Sequence, residues 1–199
     1  MKTGIFGGSF DPVHNGHVNA AKTFLEEINP DRLLIIPNFL PPHKDAPQLA
    51  PAEDRLAMCR IAFTGDPRIE VSDLEIQRGG PSYTSDTLEE LSELYPEDEF
   101  CLLVGGDMLL SFEDWHNWHR IIEKAVLVCA PRTWEEENVL TAKAGELMSE
   151  GAEVRILPID VCEISSTQIR EKVREGEDIS YAVPEDVAEY IWEHGLYCL

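Results

Sequence analysis

The feature that most constrains the fold is a regular alternation of apolar runs and helical patterns along the whole chain. The predicted strands are short, and most end at or beside a glycine or a proline; they are residues 3–7, 32–37, 69–72, 100–104, 125–130 and 154–158. Helical spacing fills the intervals, at 18–28, 52–63, 85–95, 136–149, 166–174 and 185–194. Apolar strands that alternate with helices are typical of a parallel sheet covered on both faces. The pattern predicts an α/β fold with a Rossmann-like, doubly wound parallel sheet.

The length of 199 residues suits one domain with a sizeable core. We expect residues 1–199 to form a single domain, with a small C-terminal helical part at about 165–199. Residues 38–51 are the one linker-like stretch. Because this stretch is rich in proline and carries His43 and Lys44, we expect it to be a substrate-side loop.

The chain is strongly acidic, with a formal net charge of −22 from 16 Lys and Arg against 38 Asp and Glu. A nucleic-acid polymer or an anionic membrane requires a basic surface, so we expect neither as a partner. The charge is uneven, because residues 1–60 hold seven acids and six bases while residues 61–199 carry the remaining −21. We infer a locally positive cleft within a negative surface.

Cysteine usage and hydropathy bear on where the protein works. The five cysteines are odd in number and form no CxxC pair, which is typical of reduced and mostly buried thiols. The N-terminal residues lack the apolar core of a signal peptide, and no stretch approaches 18 apolar residues. We therefore expect a cytoplasmic protein with no membrane span.

The first predicted strand runs into the loop GGSFDPVHNGH at residues 7–17. Ligands of open α/β sheets bind beyond the carboxyl ends of strands, where glycines let backbone N–H groups approach phosphate oxygens. The loop is neither a Walker loop nor the GxGxxG fingerprint. His14 and His17 share one face of a helix start, where both can donate to one anion. Two alternatives are a tight turn with a helix cap and part of a zinc site, which needs a further ligand.

A second candidate is ISSTQIR at residues 164–170, at the start of a predicted helix. Ser165 and Gln168 have the spacing of a capping box, which is the purely structural interpretation. The same helix start offers N–H groups and hydroxyls, and Arg170 lies four residues after Ser166 on the same face. Such groups together suit a polyphosphate.

Three further segments carry weaker signals. Gly105-Gly106-Asp107 follows a strand end, where an acid commonly accepts from a ribose hydroxyl, although a helix-capping Asp has the same spacing. Tyr83-Thr84-Ser85 precedes a helix, so it either caps the helix or holds a small carboxylate on N–H groups. An aromatic cluster is open to core packing, to stacking on a planar heterocycle or to metal binding through its His-x-x-His spacing, and consists of Trp115, His116, Trp118 and His119.

Together, GGSFDPVHNGH and ISSTQIR resemble the HxGH and ISSTxxR signatures of the nucleotidyltransferase superfamily. Further segments, in order over essentially the whole chain, resemble bacterial nicotinate-nucleotide adenylyltransferases: PPHK at 41–44, SYTSDTL at 82–88, GGDM at 105–108 with Trp115, and VPEDVAEYIWEHGLY at 183–197. The family often has Gly-Ala-Asp where this chain has Gly-Gly-Asp.

The resemblance implies transfer of AMP from ATP to nicotinate mononucleotide, giving deamido-NAD and pyrophosphate, with Mg²⁺ held mainly by the ATP phosphates. It implies that the catalytic residues, which hold those phosphates, are His14, His17 and Arg170. It implies an ATP site lined by Gly7, Gly8, Ser9, Phe10, His43, Gly105, Asp107, Ile164, Ser165 and Ser166. It implies a site for the second substrate lined by Lys44, Tyr83, Thr84, Trp115 and Arg132.

Several alternatives remain open at this point. Pantetheine-phosphate adenylyltransferase shares the fold and chemistry but is typically shorter, with TxGH in place of HNGH. An adenylyltransferase for nicotinamide mononucleotide differs only in the substrate's carboxamide. A non-catalytic nucleotide-binding regulator needs no such set of His14, His17, Ser166 and Arg170, and a metal hydrolase would use the two His-x-x-His pairs. The sequence is also compatible with a homo-oligomer.

Overall fold

The computed structural model describes residues 1–42, 49–131, 133, 136–158 and 164–198. Within them, six strands form one sheet in the order β3-β2-β1-β4-β5-β6, and every neighbouring pair is parallel. The strands are β1 (Lys2–Gly8), β2 (Arg32–Pro37), β3 (Ile69–Val71), β4 (Glu99–Gly105), β5 (Ala125–Ala130) and β6 (Val154–Ile156). This is the doubly wound order of the Rossmann fold, so the predicted fold class is confirmed.

Nine α-helices lie among the described residues, together with a short 3-10 helix at Phe112–Asp114. The α-helices are α1 (Asn15–Ile28), α2 (Ala52–Ala62), α3 (Leu74–Arg78), α4 (Thr84–Leu94), α5 (Gly106–Leu110), α6 (Trp118–Lys124), α7 (Glu137–Ser149), α8 (Ser166–Arg174) and α9 (Glu185–Glu193). Helix α8 has the predicted bounds. Helix α3 was not predicted, because five residues are too few to show an apolar periodicity.

The core divides into two apolar layers, one on each face of the sheet. Neighbouring residues of a strand point to opposite faces, so Phe6 belongs to one layer and Ile5 to the other. Ile169 of α8 and Val187 of α9 pack in the same layer as Phe6. The C-terminal helices therefore share their core with the first strand.

Gly4 determines how closely α1 packs on the sheet. A Cβ atom at this position would lie 2.4 Å from the Phe24 ring of α1, a distance that no side chain tolerates. The absence of a side chain at Gly4 thus lets the helix that follows the glycine loop lie directly on β1.

The remaining sequence expectations concern thiols and membrane spans. Cys59, Cys101 and Cys129 are free and buried, as expected, whereas Cys198 is free and exposed. Cys162 lies outside the described residues. Among the helices of the described part of the chain, none has the length and hydropathy of a membrane span.

Candidate active site

A cavity of about 590 Å³ opens at the carboxyl ends of β1 and β4. These two strands are neighbours in the sheet, and the chain winds outward in opposite directions from them. Such a switch point is where open α/β sheets bind ligands. Every predicted site residue that the structure describes lines this cavity: Gly7, Gly8, Ser9, Phe10, His14, His17, Tyr83, Thr84, Gly105, Asp107, Trp115, Ile164, Ser165, Ser166 and Arg170.

Three predicted site residues are not among the described residues. They are His43, Lys44 and Arg132. The structural account of the site therefore rests on the other predicted positions.

The glycine loop begins where β1 ends, with Gly7 exposed and Gly8 half-buried. A Cβ atom at Gly8 would lie 3.2 Å from the ring of Phe10, whereas the nearest atom to one at Gly7 is 4.0 Å away. Phe10 itself is buried, with its backbone in the left-handed region at φ 48°. Its ring packs edge-on against Phe6 and His17. Phe10 thus packs in the core, where it fixes the loop, and it also lines the cavity.

His14 and His17 lie at the start of α1 with their rings stacked, 3.7 Å between centroids. The His14 backbone N–H donates to Nδ1 of His17 at 3.2 Å. An Nδ1 that accepts a hydrogen bond leaves the proton of a neutral imidazole on Nε2, which is then a donor. Capping of the helix by His17 also explains why α1 begins at Asn15, earlier than the predicted Val18.

Helix α8 is docked on the glycine loop by its own signature residues. Ser166 Oγ donates to the Pro12 carbonyl at 3.0 Å, and Arg170 Nη1 donates to the Asp11 carbonyl at 2.7 Å. The predicted capping box is confirmed, since Ser165 Oγ accepts from the Gln168 N–H at 3.2 Å. These contacts bring the two sequence motifs, 147 residues apart from His17 to Ile164, to one side of the cavity.

Asp11 ties three distant parts of the chain together beside the cavity. Its carboxylate, 2% exposed, accepts from the Ala50 N–H at 3.0 Å and from the Tyr197 hydroxyl at 2.8 Å. Its other oxygen lies 3.6 Å from Arg170 Nη1. Burial and the neighbouring Asp11 carboxylate raise the pKa of Tyr197 well above its usual value, so this hydroxyl keeps its proton and remains a donor.

Arg55 was missed by the sequence analysis, which gave only the helical spacing of residues 52–63. Its guanidinium is 1% exposed and donates to three backbone carbonyls: Ser9 at 2.7 Å, Ala50 at 3.0 Å and Phe39 at 3.2 Å. Burial lowers the pKa of Arg55, and the nearby Asp11 partly offsets this effect. Arg55 therefore joins the loops that follow β1 and β2.

The opposite wall of the cavity contains Gly105 and Asp107, at the junction of β4 and α5. Gly105 ends the strand, and Asp107 is an exposed residue in the first turn of the helix. A Cβ atom at Gly106 would lie 2.9 Å from Glu136 Oε2 and 3.2 Å from Leu140 Cδ1. An alanine, as often found in the family, would therefore require the flexible end of the Glu136 side chain and the Leu140 side chain to move slightly.

One end of the cavity is lined by Tyr83, Thr84 and Thr87 at the start of α4, and by Trp115 and His116 of the aromatic cluster. Tyr83 precedes α4 and provides no side-chain cap, and its ring lies 4.3 Å from that of His116. Trp115 is half-buried and packs against Phe112 at 5.2 Å. His119 instead stacks on Trp118 at 3.7 Å, so the two histidines of this cluster have different neighbours.

A buried carboxylate at this end was also missed. Glu75 lies on the unpredicted helix α3, lines the cavity and is 6% exposed. Burial raises the pKa of its carboxyl, while hydrogen bonds from Thr87 and Ser82 and the charge of Arg78 act in the opposite direction. No short motif marks such a residue, because its environment comes from segments that fold onto it.

Metal-ligating side chains show no clustering in the part of the chain that the structure describes: no three of His, Cys, Asp or Glu stand close enough to hold one ion. Both His-x-x-His pairs fall within this part. The pair at 14 and 17 stacks ring on ring, and the pair at 116 and 119 diverges onto different aromatic partners. The geometry of both pairs is that of aromatic packing.

The fold and the site define a class of nucleotidyltransferases. The family model described as "Cytidylyltransferase-like" matches residues 5–172, and the chain belongs to that family. Within it, the chain belongs with the nicotinate-nucleotide adenylyltransferases. A relative from Thermus thermophilus named "Probable nicotinate-nucleotide adenylyltransferase" is 42% identical to this chain. The alignment covers 99% of this chain and 100% of the relative.

Two other proteins extend the comparison. A Geobacillus thermodenitrificans relative of the same name is 39% identical over 98% of this chain and 86% of its own. The solved structure of a Plasmodium falciparum nicotinic acid mononucleotide adenylyltransferase complexed with NaAD has a TM-score of 0.80 at 20% identity, over 99% of this chain and 98% of that one. The structural likeness at that identity shows that the fold is shared.

Proposed function

We propose that this protein transfers the adenylyl group of ATP to nicotinate mononucleotide, giving deamido-NAD and pyrophosphate. The observation that carries the proposal is the convergence of the two signature motifs on one cavity at the sheet's switch point. The relatives at 39–42% identity over nearly the whole chain carry the name of this activity. The chain is thus an enzyme of NAD biosynthesis.

The chemistry needs alignment more than it needs a base. A phosphate monoester has a second pKa near 6, so at pH 7 the phosphate of nicotinate mononucleotide is already an anionic nucleophile. One of its oxygens bonds to the α-phosphorus of ATP, the bond from that phosphorus to the bridging oxygen breaks, and pyrophosphate leaves with the electron pair. The barrier lies in bringing two anions together and in stabilising charge on the leaving group.

We assign the stabilisation of that charge to three side chains. His17 Nε2–H is a donor because Nδ1 is already occupied, and His14 is stacked beside it. Arg170 stands at the same wall, oriented by the Asp11 carbonyl. Donors fixed before the reaction stabilise developing charge without having to reorganise. We assign His14, His17 and Arg170 to the ATP phosphates and Ser165 to the same wall.

For Ser166 we propose a structural role beside the phosphate contact expected of it. Its hydroxyl proton is used by the Pro12 carbonyl, so the side chain holds α8 against the glycine loop. We assign any contact with phosphate at this position to the backbone N–H group of the helix start.

Mg²⁺ is expected to accompany ATP. It binds in many phosphoryl-transfer sites through substrate phosphates and water, with few protein ligands. The donor set here fits that mode, because imidazole and guanidinium donors face the phosphate region and the described residues form no three-ligand cluster. When bound, Mg²⁺ neutralises part of the phosphate charge. The residues of the chain orient the phosphates and donate hydrogen bonds.

The remaining residues are assigned to the adenosine ribose and to the nicotinate group. Gly105 and Asp107 are assigned to the adenosine ribose, and Trp115 to stacking on the pyridine ring. Thr84, at the start of α4, is assigned to the nicotinate carboxylate. The same proposal takes residues 1–199 as one nucleotidyltransferase domain, supported by the core that α8 and α9 share with β1.

The test supplies ATP and Mg²⁺ with nicotinate mononucleotide, nicotinamide mononucleotide or phosphopantetheine in separate assays, and measures pyrophosphate. Nicotinate mononucleotide is expected to give the highest kcat/KM. Comparable rates with either of the other substrates would contradict the assignment. Nucleotide binding without pyrophosphate release would indicate a regulator, and phosphate release without a dinucleotide product would indicate a hydrolase.

A further inference from the structure

The pyridine end is the part of the cavity lined by the start of α4, Trp115 and His116, which the proposed function assigns to the pyridine ring. A group of buried polar side chains at this end has no part in the roles assigned above. Glu75 on α3 and Thr87 on α4 are 6% and 2% exposed, and both line the cavity. Ser82, in the segment that leads into α4, is 7% exposed. Buried polar groups need hydrogen-bond partners, so their contacts reveal what the group holds in place.

Hydrogen bonds join these side chains into one unit. Thr87 Oγ1 donates to Glu75 Oε1 at 2.6 Å, and Ser82 also hydrogen-bonds the Glu75 carboxylate. Arg78 Nη2 donates to Thr87 Oγ1 at 2.9 Å and lies 4.0 Å from Glu75 Oε1. Arg78 Nη1 pairs with Glu90 at 3.0 Å, at the outer side of the unit.

The Thr87 hydroxyl is engaged in both senses. Its one proton is donated to Glu75 in the short hydrogen bond, and its oxygen accepts a hydrogen bond from Arg78. Thr87 is the fourth residue of α4, one turn beyond Tyr83 and Thr84. Fixing its side chain against α3 therefore sets the rotation of the turn that forms the pyridine end.

Ser82 extends the unit to the loop after β2. Its Oγ accepts from the Phe39 N–H at 2.9 Å, and its backbone N–H donates to the Leu40 carbonyl at 2.8 Å. That loop continues to Pro41 and Pro42, which also line the cavity. The unit thus joins the segment that leads into α4 to the loop after β2.

We propose that Glu75, Thr87 and Arg78 are positioning residues for the second substrate, because they hold Ser82–Thr84 in the orientation that receives its pyridine substituent. This inference rests on the proposed function. None of the three is assigned to the ATP phosphates, so loss of the unit is expected to weaken binding of nicotinate mononucleotide and to leave binding of ATP nearly unchanged.

The test compares Thr87→Val, which removes the hydroxyl at constant shape, with Thr87→Ser, which keeps it. Ser92→Ala is the matched control, because Ser92 is a hydroxyl of the same helix whose bond goes to the Leu88 carbonyl. We expect Thr87→Val to raise the KM for nicotinate mononucleotide about tenfold, as for loss of one buried hydrogen bond, with the KM for ATP changed less than about twofold. Thr87→Ser and Ser92→Ala should remain close to the unsubstituted protein.

Calorimetry separates this inference from the proposed function. The Kd of nicotinate mononucleotide is measured with a non-hydrolysable ATP analogue present and absent, and thermal unfolding verifies that each variant is folded. An equal rise in KM for both substrates, or a Thr87→Ser variant as impaired as Thr87→Val, would overturn the positioning role. If Thr87→Val binds nicotinate mononucleotide more weakly but the unsubstituted protein forms no dinucleotide, the proposed reaction is refuted and the positioning role is retained. If nicotinate mononucleotide binds measurably to neither the unsubstituted protein nor any variant, both the proposed reaction and the positioning role are refuted.

Discussion

The two ends of the cavity that the proposed function assigns to phosphate and to pyridine, the phosphate end and the pyridine end, are built in different ways. At the phosphate end, most of the assigned residues come from two continuous segments, 7–17 and 164–170, and many contacts run through backbone atoms. At the pyridine end, the assigned residues come from separate elements, α4 and the cluster around Trp115. A buried side-chain unit around Glu75 connects this end to α3 and to the loop after β2.

The difference reflects what each end must recognise. Phosphate recognition can use N–H groups, small residues and a helix start, so it is encoded in a compact motif. A flat aromatic ring with one charged substituent needs a stacking surface and a donor at a set distance. Those two requirements are met by elements that only folding brings together.

The largest effect is expected at the phosphate end, from His17→Ala. Loss of one preorganised donor to a developing anion typically lowers kcat by about 10²–10³. His119→Ala is the matched control, since this exposed imidazole stacks on Trp118 and is not assigned to either substrate. Steady-state pyrophosphate release measures both variants. A His17→Ala variant with nearly unchanged turnover would refute the role of that ring.

The link between the two ends is Arg55, and its removal should affect stability first. Arg55→Met leaves three backbone carbonyls without their buried donor, which should lower the free energy of unfolding by about 3 kcal/mol. Urea denaturation measures this loss. Arg60→Met on the same helix is the control, because its exposed pair with Asp73 at 3.8 Å contributes at most about 1 kcal/mol. Equal losses in the two variants would contradict the linking role.

The pyridine end should show a pH-dependent stability through Glu75. Burial raises the pKa of its carboxyl above the ordinary 4.5, so the neutral form is favoured more in the folded protein than in the unfolded chain. Its contribution is fully present below pH 4.5 and is lost as the pH rises through the raised pKa. In Glu75→Gln this loss should be absent, and urea denaturation at a series of pH values compares the two proteins. If the free energy of unfolding changed with pH in the same way in both proteins, Glu75 would have no influence on the pH dependence of stability.

The smallest effect concerns the acidic surface that surrounds both ends. With a net charge of −22, the chain should slow the approach of anionic nucleotides at low ionic strength. Added monovalent salt screens this repulsion, so kcat/KM should rise modestly from very low salt to about 0.1 M. Stopped-flow or initial-rate measurements at several salt concentrations test this. A fall in kcat/KM over that range would mean that the local charge of the cleft dominates.

Much of the fold could be predicted because the chain repeats one simple pattern. Apolar runs of five or six residues ended by glycine or proline specify buried parallel strands, and β2 and β5 have the predicted bounds. The start of α1 was misplaced because His17 acts as a capping residue, a use of histidine that propensity does not indicate. The positions of Gly105 and Thr84 could be predicted because they directly follow or precede a periodic element.

The sequence by itself determined the alternation of the six strands with the longer helices, the two signature motifs and the resemblance to a nucleotidyltransferase family. Local spacing encodes all of these. The tertiary structure alone decided that Arg55 joins two loops, that Asp11 holds Ala50 and Tyr197 beside the site, and that Glu75 is buried against Thr87. The physical reason is that burial and hydrogen bonding of a polar side chain depend on distant segments, and no local pattern records which segments those are.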